Sequence, residues 1–308
     1  MDRDKFLLVY IWLGCVVLGS TSVMVTVLVD NMTFKEMPIF AENGLSLLIE
    51  VKSEDSISRI LLDTGYTGDA LLRNCRELDV DLSRVDAVVI THNHYDHSGG
   101  LLKVLSEIDK PIPVIAHPEL FYPKYAILPS LGLKKLTYTG PPFSRRMVEE
   151  RGGLLILSRN PVTVAENVMT TGEIARIFEF EQVRGFYTVR DGEFREDELL
   201  DDMGLIVRLG DESIAVFTGC AHSGVINTLN HALKLTRAKR VSAIIGGFHL
   251  IDATEERIEK TINELRRLSP DIIAPMHCTG LKATMKIAEN LPEKFKEIHC
   301  GDKMKIDG

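Results

Sequence analysis

The sequence predicts a layered fold of the α+β/α/β class, built as a single domain. Three observations carry that expectation. Short apolar, β-branched runs such as residues 85–90 (VDAVVI) read as buried strands. Around residue 90, and again through the last hundred residues, such a run is followed by a turn and then by an amphipathic stretch, the pattern of strand–helix units. Hydrophobic residues make up 45% of the 308-residue chain, enough for a substantial core.

Residues 6–18 (FLLVYIWLGCVVL) form an uninterrupted apolar run. It is short for a membrane span and closer to the apolar region of a signal peptide, yet the leading Met-Asp-Arg-Asp-Lys is not clearly positive. Anchor, signal and an extension upstream of a start at Met24 are the three readings. Residues 1–22 are therefore set outside the fold, and residues 23–308 form the domain. The expected location is cytoplasmic; a retained 6–18 segment would instead tether the protein to a membrane or export it.

Strands come first. Residues 25–29, 45–51 and 57–62 have the composition of strands, with turns at 42–44 and 52–56. Asp63-Thr64-Gly65 ends the third. A helix over 70–78 follows, then the strand 85–90, a histidine-rich turn, a helix over 101–109 and a strand over 112–116. Residues 118–200 carry Pro123, Pro129, Pro141, Pro142 and Pro161. They predict an irregular, substrate-covering insert with one helix near 145–151 and short strands at 154–157 and 174–180. Strands at 205–209 and 214–217 restore the rhythm. Residues 217–224 (FTGCAHSG) lead into a helix ending near 235, residues 243–250 (AIIGGFHL) precede a helix over 254–268, and residues 272–280 (IIAPMHCTG) precede a helix near 281–290.

Four of these strand-to-helix turns carry histidine directly after the strand: His92, His94 and His97; His222; His249; and His277. Loops that follow strands in layered α/β proteins open on one edge of the sheet, so these side chains are expected to converge. The densest turn reads THNHYDHSGGL, with His92, His94, Asp96 and His97 within six positions. Imidazole and carboxylate are the donors that borderline divalent metals prefer, and the spacing suits two ions side by side. Ser98, Ser223 and Thr279 are placed to cap the following helices, whose free N–H groups favour an anion. The expected partner is a small anion such as a phosphate, diphosphate or carboxylate. A net charge of −8 argues against a nucleic-acid surface. The five cysteines, Cys15, Cys75, Cys220, Cys278 and Cys300, contain no CxxC pair, which favours a reducing compartment over a disulfide framework. His231 and His299 lie outside these turns and are expected at the surface.

The HxHxDH core at 92–97 resembles the signature of the metallo-β-lactamase superfamily, and the likeness runs from Met24 to the C-terminus. The resemblance implies a four-layer αββα metallo-β-lactamase sandwich with a dinuclear site at one edge of two facing sheets. It implies that His92 and His94 bind one metal, that Asp96 and His97 bind the second, that His277 is the last metal histidine, and that Asp63 supports the ligands from behind. Zinc is the expected ion, with iron or manganese as alternatives. Two departures stand out. Where the superfamily places an aspartate after Thr-Gly, this chain has Thr218-Gly219-Cys220, with His222 two residues on. No histidine in 150–205 matches the usual middle ligand. His222 is the expected replacement, because imidazole needs no deprotonation near neutral pH, and Cys220 is the alternative ligand.

Within the superfamily, NGLSLLIE at 43–50, FTGCAHSGVINT at 217–228, IIGGFHLI at 244–251 and PMHCTG at 275–280 resemble the dihydropteroate-synthase-like branch, described as 7,8-dihydropterin-6-yl-methyl-4-(β-D-ribofuranosyl)aminobenzene 5′-phosphate synthases. That implies a transferase of methanopterin biosynthesis, in which an arylamine displaces pyrophosphate from a hydroxymethyl-dihydropterin diphosphate. His249 is then the candidate base, or else an extra metal ligand, and Asp96 joins it at the reacting centre. His117, Lys124, Arg145, Arg146, Ser223 and Thr279 are the candidate substrate contacts, with arginine suited to bidentate phosphate binding. Tyr122, Tyr125, Tyr138 and Phe143 are candidates to stack on a flat heterocycle. One rival is a hydrolase of a phosphoester, thioester or lactone; another is a non-catalytic metal-binding sensor domain. Asp63-Thr64-Gly65 by itself would fit an aspartic protease, but the motif occurs once.

Overall fold

The computed structural model describes residues 21–54, 56–210 and 212–308. The apolar run at 6–18 lies outside them, and among the described residues no helix is long and apolar enough to cross a membrane. In chain order the elements are β1 (Ser22–Val29), β2 (Ser46–Lys52), β3 (Ile57–Leu62), α1 (Asp69–Glu77), β4 (Ala87–Val89), α2 (Tyr95–Ser98), α3 (Leu101–Ile108), β5 (Ile112–Ala116), β6 (Lys124–Leu128), β7 (Leu133–Tyr138), α4 (Arg145–Glu149) and β8 (Gly153–Leu157). They continue with β9 (Thr163–Ala165), β10 (Val168–Thr170), β11 (Phe186–Arg190), β12 (Glu193–Glu196), β13 (Gly204–Arg208), β14 (Ser213–Thr218), α5 (Val225–Thr236), β15 (Arg240–Gly247), α6 (Glu255–Leu268), β16 (Ile272–Met276), α7 (Leu281–Asn290) and β17 (Lys303–Asp307).

Two sheets face each other. The first runs β17-β1-β2-β3-β4-β5-β8 and the second β16-β15-β14-β13-β10-β9. Successive side chains of a strand point to opposite faces, and here both faces are buried. Val25, Leu47, Ile60 and Val89 of the first sheet meet Leu205, Phe217, Ile245 and Ala274 of the second in the central core. Their sequence neighbours Leu48, Leu61 and Val88 point the other way, onto Leu71, Leu101 and Leu105 of α1 and α3. On the far side Val216, Ile244 and Ile273 pack on Ile226, Ile258 and Ile287 of α5, α6 and α7. The result is the αββα sandwich.

Helix α6 shows how sequence builds an outer layer. Ile258, Ile262 and Leu265 recur at helical spacing and are buried, Thr254 caps the first turn by accepting the Arg257 N–H, and acidic residues at its start and basic ones at its end complement the helix dipole. Burying each large apolar side chain contributes roughly 1.5–3 kcal/mol, so a charge at Ile262 would undock the helix.

The expectation of an irregular 118–200 is corrected. β6, β7, β11 and β12 form a third sheet in the order β12-β11-β6-β7. No strand forms at 174–180. The N–H groups of Ile177 and Phe178 donate instead to Asn227 Oδ1, and Phe178 and Phe180 pack against the α5–α7 layer, so a side chain takes the place of a strand partner. β17, unanticipated, pairs antiparallel with β1. His299 is buried against Asp30 rather than exposed, and His231 is part-buried against the Thr171 carbonyl.

β3, β4 and β5 run parallel, as do β14, β15 and β16. The turns beyond their C-terminal ends carry Asp63, the 92–97 cluster, Cys220 with His222, His249, and His277 with Cys278. The topology therefore delivers these groups to one rim.

Candidate metal centre

Asp63 stands just past β3 with a left-handed backbone, φ 58°. Its carboxylate accepts three bonds: from Thr91 N at 2.8 Å, from Thr91 Oγ1 at 2.7 Å, and from His97 Nδ1 at 2.7 Å. The last contact leaves His97 Nε2 free to act as a donor. That nitrogen lies 3.1 Å from Cys220 Sγ and 3.1 Å from His277 Nε2. Gly219 makes the approach feasible, since a Cβ there would collide with Thr91 Oγ1 and crowd Asp63 Oδ2.

His92 and His94 lie in the loop between β4 and α2, their ring centroids 4.7 Å apart. Asn93 between them is clamped. Its backbone N–H donates to Asp201 Oδ2 at 3.0 Å, and its side chain donates to the carbonyls of Glu119 and Tyr122. Helix α2 then turns Asp96 and His97 toward the rim.

The second sheet supplies the opposite half. His222 Nε2 is 3.2 Å from His94 Nδ1, and the His222 ring lies 4.8 Å from that of His92. His277 is held by its own N–H on Asp30 Oδ1 and by Nδ1 on Asn31 Oδ1, which turns Nε2 toward His97 and Asp96 Oδ2, the latter at 3.5 Å. His249 stacks obliquely on His222 at 4.3 Å. Ala221, His249 and His277 join Asp63 in left-handed conformations, which cost non-glycine residues roughly 1–2 kcal/mol each. Strain of this kind gathers where a fold places functional groups.

Burial pushes His92, His222 and His277 well below the usual imidazole range and His94 down to about 3, so these rings are neutral donors at physiological pH. His97 differs. Burial opposes its protonation, but the carboxylates of Asp63 and Asp96 outweigh burial and raise it to about 9. Burial raises Asp96. It also resists ionisation of Cys278, yet hydrogen bonds from Cys220 and His249 bring that thiol down to about 5.

These residues fit divalent metal. Nε2 of His92, Nε2 of His94, Nδ1 of His222 and Nδ1 of His249 are buried without a hydrogen-bond partner. Left so, each would cost about 1–3 kcal/mol. Three overlapping sets, His92/Cys220/His222, His97/Cys220/His277 and Cys220/His249/Cys278, have their donor atoms within 4.8 Å of one another. Asp96, held 3.5 Å from His277 Nε2, adds a carboxylate to the second set. The ligand types are those of zinc, iron or manganese sites, with sulfur favouring zinc.

The centre opens into a cavity of about 340 Å³. His94, Asp96, His222, His249 and His277 line it together with Ala126, Leu128, Leu131, Leu133 and Phe186 of the third sheet and its turn. Among the described residues, no lysine or arginine lines it.

The residues expected to contact substrate fall elsewhere. Lys124 is fully buried with its ammonium 2.6 Å from Asp197 and 2.9 Å from Asp201, a charge already neutralised inside the protein. Arg145 and Arg146 lie on the exposed α4, paired with Glu149 and Glu150 one turn on. His117 bonds Glu173 and accepts the Glu119 N–H. Ser223 lines a separate hollow with Arg176, its N–H donating to Asp202, and Thr279 Oγ1 accepts the Phe248 N–H. None of the three expected caps forms: Gly100, Gly224 and Gly280 occupy the cap positions of α3, α5 and α7. At α5 the role of anion falls to the protein itself, because Glu181 accepts the N–H groups of Ile226 and Asn227. Of the candidate stacking residues, Phe143 belongs to the core between the first sheet and its helices, and Tyr122, Tyr125 and Tyr138 are not in the cavity wall. Phe186 is there instead, stacked on His94 at 5.2 Å. Sequence reasoning passes over Phe186, Cys278, Asn31 and Asp201; the alternation of FYTVR is the only local signal for the first.

The description of the metallo-β-lactamase superfamily matches residues 41–277. Over 273 residues the chain is 35% identical to the 7,8-dihydropterin-6-methyl-4-(β-D-ribofuranosyl)-aminobenzene-5′-phosphate synthase of Methanocaldococcus jannaschii, spanning 87% of this chain and 92% of that protein. It is 32% identical over 267 residues to a second, uncharacterized protein of the same organism, spanning 86% and 94%. A solved structure described as a metal-dependent hydrolase of the β-lactamase superfamily superposes with a TM-score of 0.74 at 28% identity, over 93% of this chain and 100% of the other.

Proposed function

The chain is an enzyme of the metallo-β-lactamase superfamily, and we propose that it is a metal-dependent transferase that joins an arylamine to a hydroxymethyl-dihydropterin diphosphate and releases pyrophosphate. The observation that carries this reading is the mixed lining of the cavity, in which metal-donor side chains meet apolar residues of the third sheet and, among the described residues, no lysine or arginine. A diphosphate entering it meets no lysine or arginine, so its charge falls to the metal side. The flat ring system falls to Phe186, Leu128 and Leu133. The likeness to the M. jannaschii synthase supports the same assignment.

His92, His94 and His222 would hold one ion and Asp96, His97 and His277 a second, with Cys220 between them. Divalent ions bound there would supply charge neutralisation to the departing diphosphate. His249 lines the cavity with its Nδ1 buried and without a partner, which supports a place among the metal donors, and the proton of the attacking arylamine nitrogen passes to solvent as the diphosphate leaves. Asp63 fixes the tautomer of His97, and Asn31 that of His277. Asn43, also in the cavity wall, supports hydrogen bonding to a polar edge of the heterocycle. The four described cysteines are free, which supports a reducing, cytoplasmic setting.

The test is product release. Metal-loaded protein given the dihydropterin diphosphate and an arylamine releases pyrophosphate only when both are present. Release without the amine would favour the second reading, a hydrolase, for which the solved hydrolase neighbour at 28% identity speaks.

A further inference from the structure

Cys220, His249 and Cys278 stand in equivalent places on three adjacent strands. β14, β15 and β16 are parallel neighbours that end at Thr218, Gly247 and Met276. Each donor lies two residues beyond its strand's end. The register sets Thr218 beside Gly246 and Gly247 beside Met276, so one sulfur, one imidazole and a second sulfur reach the rim within one residue of the same level, and their donor atoms lie within 4.8 Å of one another.

The local structure serves this meeting. Cys278 Sγ occupies space that exists because residue 247 is glycine; a Cβ there would sit 2.6 Å from the sulfur. The same sulfur is 3.5 Å from the Cys220 carbonyl oxygen. His249 is only 5% exposed, and its Nδ1 has no hydrogen-bond partner. A buried imidazole nitrogen without a partner, beside two buried thiols, is the donor chemistry of a thiophilic cation rather than of magnesium or calcium.

We propose that Cys220, His249 and Cys278 form a sulfur-bearing arm of the centre, a coordination set for a thiophilic divalent cation in which Cys278 and His249 are terminal donors and Cys220 is shared with the histidine–aspartate pair of sites. As each sulfur–metal bond forms, any proton still on the sulfur passes to solvent and no redox change occurs. The arm selects zinc, cobalt or cadmium over manganese, because two thiolates are soft ligands. This inference rests on the reading of the rim as a metal centre.

X-ray absorption at the metal edge of the zinc-loaded full chain tests it. The expected spectrum shows sulfur at about 2.3 Å beside nitrogen or oxygen at about 2.0–2.1 Å. Cys278→Ser lowers the sulfur contribution, and His231→Ala leaves it unchanged. Metal bound without sulfur, or the same sulfur contribution in Cys278→Ser, overturns the arm alone; protein that binds no zinc overturns the metal centre as well. The unmutated protein gives an independent readout should Cys278→Ser fail to fold. With zinc bound, Cys278 resists iodoacetamide, and after chelation it is alkylated while Cys75 is unaffected. Equal alkylation of Cys278 in both states overturns the proposal.

Discussion

Asp201 Oδ2 accepts the backbone N–H of Asn93 at 3.0 Å, and Asn93 is the residue that separates His92 from His94. The other oxygen of the same carboxylate lies 2.9 Å from Lys124 Nζ. The ammonium is shared with Asp197 and, at 3.8 Å, with Glu119. A buried ion cluster thus braces the histidine loop from behind. Removing the cation leaves Asp197 and Asp201 buried without their shared counter-charge, while Glu119 keeps Arg190. Lys124→Met is expected to destabilise the protein by about 3–5 kcal/mol in urea unfolding. A loss under about 1 kcal/mol would show that the cluster is solvated and braces nothing.

Asp63 acts through a single short bond. Its contact with His97 Nδ1 sets which ring nitrogen faces the centre. Asp63→Asn keeps the size but loses the charge and one acceptor, and is expected to weaken metal binding by roughly 10–100-fold while the fold persists. Competition with a chelator reads the affinity directly; an unchanged constant would free Asp63 of this role.

Glu181 gives a pH dependence. Burial raises its carboxyl to about 7, against the opposing pull of the Ile226 and Asn227 N–H groups. The native protein therefore holds a proton that the unfolded chain releases near 4.5, and the favourable contribution present below that value is lost as the pH rises to about 7. The shift corresponds to on the order of 3 kcal/mol. In unfolding experiments at matched metal loading, wild type should lose stability relative to Glu181→Gln between these pH values. Parallel curves for the two proteins would contradict it.

The apolar lining predicts a split between affinity and metal content. Phe186 stacks on His94 in the cavity. Phe186→Leu retains bulk but loses the aromatic face, and is expected to raise KM for the dihydropterin diphosphate of the proposed reaction roughly 2–10-fold with metal content unchanged. A change in metal content with constant KM would place Phe186 in support of the ligands instead.

Much of this is legible in the chain, for a physical reason. Strands buried on both faces are apolar throughout, so 57–62 and 112–116 coincide with β3 and β5. Histidines directly after such strands reach one rim by topology alone. The third sheet escapes detection because KYAIL, LKKLTY, FYTVR and EFRE are half polar, and β6 finds β11 across some sixty residues, as in Thr188 with Lys124. Lys124 reads as a phosphate ligand because its counter-charge Asp201 is 77 residues away. Cys278 is counted only among the unpaired cysteines because the space its sulfur occupies depends on an absent Cβ at Gly247.

The central claim is that the rim histidines hold metal, and elemental analysis of three purified proteins tests it most directly. Wild type is expected to carry bound divalent metal, His94→Ala to lose it, and His231→Ala, whose ring meets the Thr171 carbonyl, to match wild type. Equal metal in His94→Ala and His231→Ala, or none in wild type, would contradict the account.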